Sequence, residues 1–172
     1  MSDSAGPERR IPDAPFAGDT GVASPAVTAA LAAYAADRGR YPDVLGALQD
    51  ARLLVAVVAV LGEVEHDAAG LAHDKTSDMA AVLLRGADGR LALLAFTGTE
   101  TMRAWDPDAR PVPVATRLAA QAALEDDAAA LVVDVAGPTT FVIEGDDLRG
   151  LAAGWTLARL GGGAVWIGPA PE

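Results

Sequence analysis

The sequence predicts an α+β fold, a single domain built on a mixed, mainly antiparallel sheet of five or six strands flanked by helices. Three observations carry that expectation. The run Arg52 to Val60, RLLVAVVAV, is apolar at every position after the arginine, the pattern of a strand buried on both faces in mid-sheet. Met79 to Leu84 and Leu91 to Phe96 flank Gly86-Ala87-Asp88-Gly89, and Asp-Gly between apolar runs marks a hairpin because glycine accepts the positive φ such turns demand. Helical patterns are interspersed in the order helix, helix, strand, hairpin, helix, helix, hairpin, helix, which suits a layered sandwich better than a βαβ array.

Residues 1–23 are rich in Ser, Pro, Gly and charge without an apolar period, and read as a flexible N-terminal arm that only Phe16 could anchor. Residues 24–160 read as the single domain. Ser24-Pro25 is an N-cap followed by proline at the first helical position, and Val27, Leu31 and Tyr34 recur at i, i+4 and i+7, giving a helix to about Ala36. Gly39 ends it. Tyr41-Pro42-Asp43 opens a second short helix that buries Val44, Leu45 and Leu48 and leads into the central strand.

After that strand comes the acidic loop GEVEHDAAGLAHDKTSD and then the hairpin, with Arg85 and Arg90 facing each other at its solvent end. Thr97-Gly98-Thr99-Glu100 has the spacing of a capping box, in which Thr97 accepts from a first-turn amide and Glu100 reaches back. A short helix through Trp105 follows, ended by Asp106-Pro107. ARPVPVAT supplies at most a short edge segment, since Pro111 and Pro113 cannot donate to a ladder. From Val114 to about Leu124 a helix is expected, with Val114, Leu118, Gln121 and Ala122 on one face. Leu131 to Val135 and Thr140 to Ile143 form the second hairpin across Ala136-Gly137-Pro138. Asp146 and Asp147 open a last helix with the stripe Leu148, Leu151, Ala152 and Trp155. Gly161 to Gly163 then begins a Gly-rich C-terminal tail, 161–172.

Composition excludes several functions. A chain of 172 residues with 51% apolar content builds one core of ordinary size. A formal charge of −11 repels a phosphate backbone, which argues against nucleic acid as a partner. The absence of cysteine removes disulfides, thiolate zinc sites and a cysteine nucleophile. The longest apolar run, Leu53 to Leu61, is far shorter than the ~20 residues of a bilayer-spanning helix. The first twenty residues lack the apolar run of ~7–15 residues that a signal peptide needs. The expectation is a soluble, cytoplasmic protein with no membrane partner.

Several ordered patterns carry a family resemblance: DKTSDMAAVLL in the first hairpin, the DGR turn before LALLAFT, the short helix ending at Trp105, ARPVPV, and LVVDVAGP followed by a strand and a helix. From Phe16 to Trp155 the chain resembles the SseB N-terminal domain family in its actinobacterial form, distinct from the type III secretion translocator of the same name. That family takes its name from an enhanced serine sensitivity phenotype. The resemblance implies no established enzyme activity, cofactor or catalytic residue.

The residues offer few sites. Glu63, Glu65, His66, Asp67, His73 and Asp74 are suitable metal ligands by type, but their spacing matches no known site and a solvated acidic loop explains them. A hydrolase would recruit Ser77 or Thr97 as nucleophile, His73 as base and Asp78 as orienting group, without a G-x-S-x-G elbow to support it. The turn Thr97-Gly98-Thr99 follows a strand and opens a helix, so an anion could sit on its amides. Gly161 to Gly163 follows a helix and lacks a Walker lysine. Lys75, the only lysine, could anchor a partner or pair with Asp74 or Asp78, and Trp105 could belong to a binding surface or close the core.

The reading is a non-enzymatic protein-binding or adaptor module. Its candidate interaction surface comprises Lys75, Asp78, Thr97, Thr99, Arg103, Trp105 and Arg110, and no residue is assigned to catalysis, a cofactor or a metal. The alternative is a small-ligand or anion sensor, or a minor hydrolase, using the acidic loop and the turn after Phe96. A partner protein is expected, and a homodimer stays open.

Overall fold

The central strand sorts its side chains into two cores. The computed structural model of the chain describes residues 16–60, 78–160 and 163–169, and in it β1 (Arg52–Val60) sends Leu53 and Val55 to one face of the sheet and Leu54 and Ala56 to the other. This is the expected burial on both faces. On the first face, β1 meets α1 (Pro25–Ala36) and α2 (Tyr41–Gln49), which contribute Val27, Leu31, Val44, Leu45 and Leu48. On the second face, Leu54 and Ala56 join Leu94, Phe96 and Met102.

The first hairpin pairs antiparallel as expected, with one refinement. Its first strand is broken at Val82 into β2 (Asp78–Ala81), which pairs with β1, and β3 (Leu83–Arg85), which pairs with β4 (Leu91–Phe96). At the break the Val82 amide donates to Ala56 of β1 at 3.0 Å while its carbonyl accepts from Leu94 of β4 at 3.3 Å. One bent strand thus serves two neighbours, and the main sheet has six strands when β2 and β3 are counted together. Gly89 takes φ +82, as the turn requires. The register is one residue away from expectation, because Arg85 lies opposite Leu91 rather than Arg90.

After β4 come α3 (Thr99–Trp105), β5 (Arg110–Ala115), α4 (Thr116–Glu125), β6 (Ala130–Val133), β7 (Phe141–Glu144) and α5 (Gly145–Ala152). The pair β4–β6 is parallel and every other pair in this sheet is antiparallel, so the mixed, mainly antiparallel α+β architecture holds.

Several expectations need correction. Ser24 occupies the N-cap of α1 but its side chain caps nothing; instead its carbonyl accepts from the Thr28 hydroxyl at 3.1 Å. RPVPVA is a full six-residue strand, matched residue for residue along β1. The prolines are tolerated because strand amides alternate in direction. Thr116 donates its N–H to Ala51 on the β1 side, so Val114 and Val112 also face β1 while Pro113 and Pro111 face away. Val114 therefore belongs to β5, and α4 starts two residues later. Its buried face is Thr116, Ala119, Ala120 and Ala123, with Leu118 left 45% exposed. The small alanines let the helix lie close against the sheet.

The C-terminal segment differs most. Trp155 lies beyond the end of α5, and the stretch read as a Gly-rich tail contains β9 (Gly163–Ile167), antiparallel to β8 (Thr156–Leu160) in a separate two-stranded sheet. Among the described residues, no helix is long and apolar enough to cross a membrane.

Candidate functional site

The parallel pair β4–β6 defines the site. In sheets with parallel strands, the chain leaves the carboxyl ends into loops that diverge, and the crevice between them is the usual place for a ligand. Here β4 runs out through Thr97-Gly98 into α3, and β6 through Asp134 into the turn Ala136-Gly137-Pro138. A cleft of about 640 Å³ opens between those loops, α1 and the segment preceding α1.

Asp134 organises its floor. The residue is 2% exposed and adopts φ +54, a left-handed conformation that aspartate tolerates better than most residues. One carboxyl oxygen accepts from the Thr97 amide at 2.9 Å and the Thr101 hydroxyl at 2.6 Å; the other accepts from the Thr97 hydroxyl at 2.7 Å. Burying such a group costs several kcal/mol, and three hydrogen bonds to it, each contributing about 1.5–3 kcal/mol, offset that cost. Backbone bonds complete the anchorage, from the Asp134 amide to Ala95 and from the Gly137 amide back to Asp134.

The third wall comes from the segment before α1. Arg52, at the start of β1, donates to the Thr97 carbonyl at 2.6 Å, to the Val22 carbonyl at 3.0 Å and to both oxygens of Asp19. The Arg52 hydrogen bond holds the Asp19 carboxyl below its ordinary range, assisted by the Gly21 amide and opposed by partial burial. So fixed, the Gly21 carbonyl accepts from the Thr99 amide at 2.8 Å and from the Thr99 hydroxyl at 3.3 Å. Contact here is close. A Cβ on Gly98 would lie 3.0 Å from both the Ala23 nitrogen and the Gly21 oxygen. Residues 19–23, expected to be part of a flexible arm, are thus tied to the sheet by an arginine; residues 1–15 lie outside the described residues.

The sequence-derived candidates divide. Thr97 and Thr99 belong to the cleft, but Thr97 does not cap α3. The N-cap is Gly98, and the Thr97 hydroxyl is committed to Asp134. Arg103 is exposed outside the cleft, Trp105 packs its ring 5.5 Å from that of Phe96 in the second core, and Arg110 is exposed at the start of β5. Asp78 begins β2. Lys75, Ser77, both histidines and the rest of the acidic loop, residues 62–77, lie outside the described residues. Among the described residues, no group of three or more His, Asp or Glu side chains is placed to hold a metal ion.

Asp134, Thr101, Arg52 and Asp19 do not stand out in the sequence as site residues. The first two carry a signal nonetheless: LVVD and LALLAFTGTET each place polar residues directly after an apolar strand, where site residues on sheets congregate. Arg52 and Asp19 are 33 residues apart, and nothing local connects them.

Fold and site together define a sandwich domain with a crevice at the carboxyl ends of its one parallel strand pair. The family model for the SseB protein N-terminal domain matches residues 27–150, and the chain belongs to that family. No curated protein matches the chain. No solved structure matches it either.

Proposed function

We propose that this domain is a non-enzymatic binding module that receives a short, uncharged segment of another protein in the cleft beside Asp134. The observation that carries the reading is the commitment of the polar lining to the fold itself. The Thr97 and Thr101 hydroxyls donate to Asp134, the Thr99 amide is taken by Gly21, and among the described residues every buried side-chain polar atom has a partner. What remains for a ligand is mainly a wall of small and apolar groups, including Leu31, Ala32, Ala104 and Pro138, with the exposed Glu100 and the half-buried Thr139 also in the lining.

The anion-sensor alternative is weakened on two counts. The Thr99 amide that would hold an anion is already used, and the carboxyl groups of Glu100 and Asp134 line the same space. The hydrolase alternative needs an activated hydroxyl, whereas Thr97 is buried and its proton points to a carboxyl group that two further donors, the Thr97 amide and the Thr101 hydroxyl, also occupy.

Filling the cleft tests the reading. Ala32 and Ala104 line it from exposed helix positions, so Ala32→Trp and Ala104→Trp should fold normally by circular dichroism and block entry. In affinity purification from the native cell, a protein retained by the wild type and by Arg103→Ala but lost by both tryptophan variants is the expected result. Equal recovery by all four, or no stoichiometric protein with the wild type, would remove the proposal.

A further inference from the structure

We infer that a second cavity takes a small zwitterion, a molecule carrying a carboxylate and an ammonium group on an apolar body. The cavity has a volume of about 420 Å³, within the range of roughly 300–1,000 Å³ usual for small-molecule sites. It opens where the end of α2, the start of β1, the first turn of α4 and the connection from α5 to β8 meet. None of its lining residues lines the cleft beside Asp134, so the two sites are separate.

Its walls are fixed by the fold. The Leu157 amide donates to Gln49 at 2.7 Å and Trp166 Nε1 donates to Asp147 at 2.8 Å, which holds the β8–β9 hairpin on α2 and α5. Phe16, Leu151 and Trp155 supply an apolar surface, with Trp155 40% exposed. A Cβ on Gly154 would lie 3.0 Å from Arg117 Cδ, so the arginine is laid along the backbone of the same wall.

The charges define the ligand. Arg52 also lines the cavity, but its donors are spent on Asp19, Val22 and Thr97. Arg117 and Asp50 remain. Both are exposed, and among the described residues neither forms an ion pair with the other or with any third group. Two opposite charges thus share one cavity without meeting. A ligand with its own carboxylate and ammonium satisfies both, because a guanidinium takes a carboxylate through two parallel hydrogen bonds and Asp50 accepts from the ammonium.

Other occupants fit less well. A simple anion would face Asp50 and a chain of net charge −11, and a simple cation would face Arg117. An uncharged apolar molecule would cover both charged groups and pair with neither, which costs free energy. A zwitterion adds no net charge, and its apolar body meets the rings of Phe16 and Trp155.

Calorimetric titration of the full chain with L-phenylalanine and L-leucine, each to about 10 mM, tests the inference. At least one should bind. The analogues without the ammonium, 3-phenylpropionate and 4-methylpentanoate, and those without the carboxylate, phenethylamine and isopentylamine, should bind at least about tenfold more weakly than their parents. Arg117→Gln and Asp50→Asn, at exposed positions that leave circular dichroism unchanged, should each weaken the amino acid at least about tenfold. Arg103→Gln, which removes an arginine elsewhere, should not. Absence of binding by both amino acids overturns the inference. So does an analogue that binds as well as its parent, or an affinity that either cavity variant leaves undiminished.

Discussion

The hydroxyl of Thr97 donates to the carboxyl group of Asp134 at 2.7 Å, joining the exits of two parallel strands that three further elements separate in sequence. The bond ties the loop that starts α3 to the loop that follows β6, and so fixes the width of the cleft between them. Asp134→Ala should lower stability by about 3–5 kcal/mol, because it strands the Thr97 amide and two hydroxyls in a dry site. Asp134→Asn keeps an acceptor and the left-handed backbone and should lose only about 1–2 kcal/mol. Urea unfolding measures both. Equal losses would mean that the hydrogen bonds are not what holds the loops.

The Asp19–Arg52 pair should make the segment before α1 sensitive to acid. The folded carboxyl is depressed below its ordinary 3.8, so its stabilising effect is fully present above that value and is lost as pH falls through the lower, folded value. The stability difference between wild type and Asp19→Asn should be constant from about pH 7 to about pH 5 and shrink only below the ordinary carboxyl range. A difference that disappears while the solution is still near neutral would assign the effect to another group.

Gly98 and Gly46 offer a matched contrast. At Gly98 φ is −156, open to any residue, so the penalty for Gly98→Ala is contact alone: a Cβ 3.0 Å from two backbone atoms. The expected loss is about 1–3 kcal/mol, with faster hydrogen exchange at the Thr99 amide as residues 21–23 are pushed off. At Gly46, inside α2, an added Cβ would meet nothing within 4 Å, and Gly46→Ala should raise stability by about 0.5–1 kcal/mol. Unfolding midpoints that move the same way for both would refute the contact argument.

Gly150→Val should lever the C-terminal hairpin away from α5. Even a Cβ at this position would meet the Trp166 ring at 2.4 Å, and the displaced ring would lose its bond to Asp147. Tryptophan emission should shift to the red, with a stability loss of about 1–3 kcal/mol. Unchanged emission would mean that the ring does not rest there.

Much of this architecture is legible in the sequence because local signals agree with the global fold. Asp88-Gly89 announces the first hairpin, the valine-rich run announces the central strand, and Ser24-Pro25 places the start of α1 even though the serine side chain caps nothing. The failures have a common origin in tertiary contact. Proline in β5 reads as a strand breaker unless the direction of its missing amide is known, and that depends on which side β1 lies. Thr97 reads as a cap because its true partner stands 37 residues away. The site is half legible: the turn after Phe96 stands out, whereas Asp134 and the Arg52–Asp19 tie become visible only once the strand order brings them together.

The two outward-facing prolines of β5 have a consequence for the molecule among its neighbours. An unprotected sheet edge offers alternating donors and acceptors to any extended chain that drifts past, which is how stray pairing and aggregation begin. At Pro111 and Pro113 the donors are missing from the side that faces away from β1, so an incoming strand would find carbonyls with nothing to answer its own. Growth of the sheet stops there, and an extended guest must look for purchase elsewhere on the molecule.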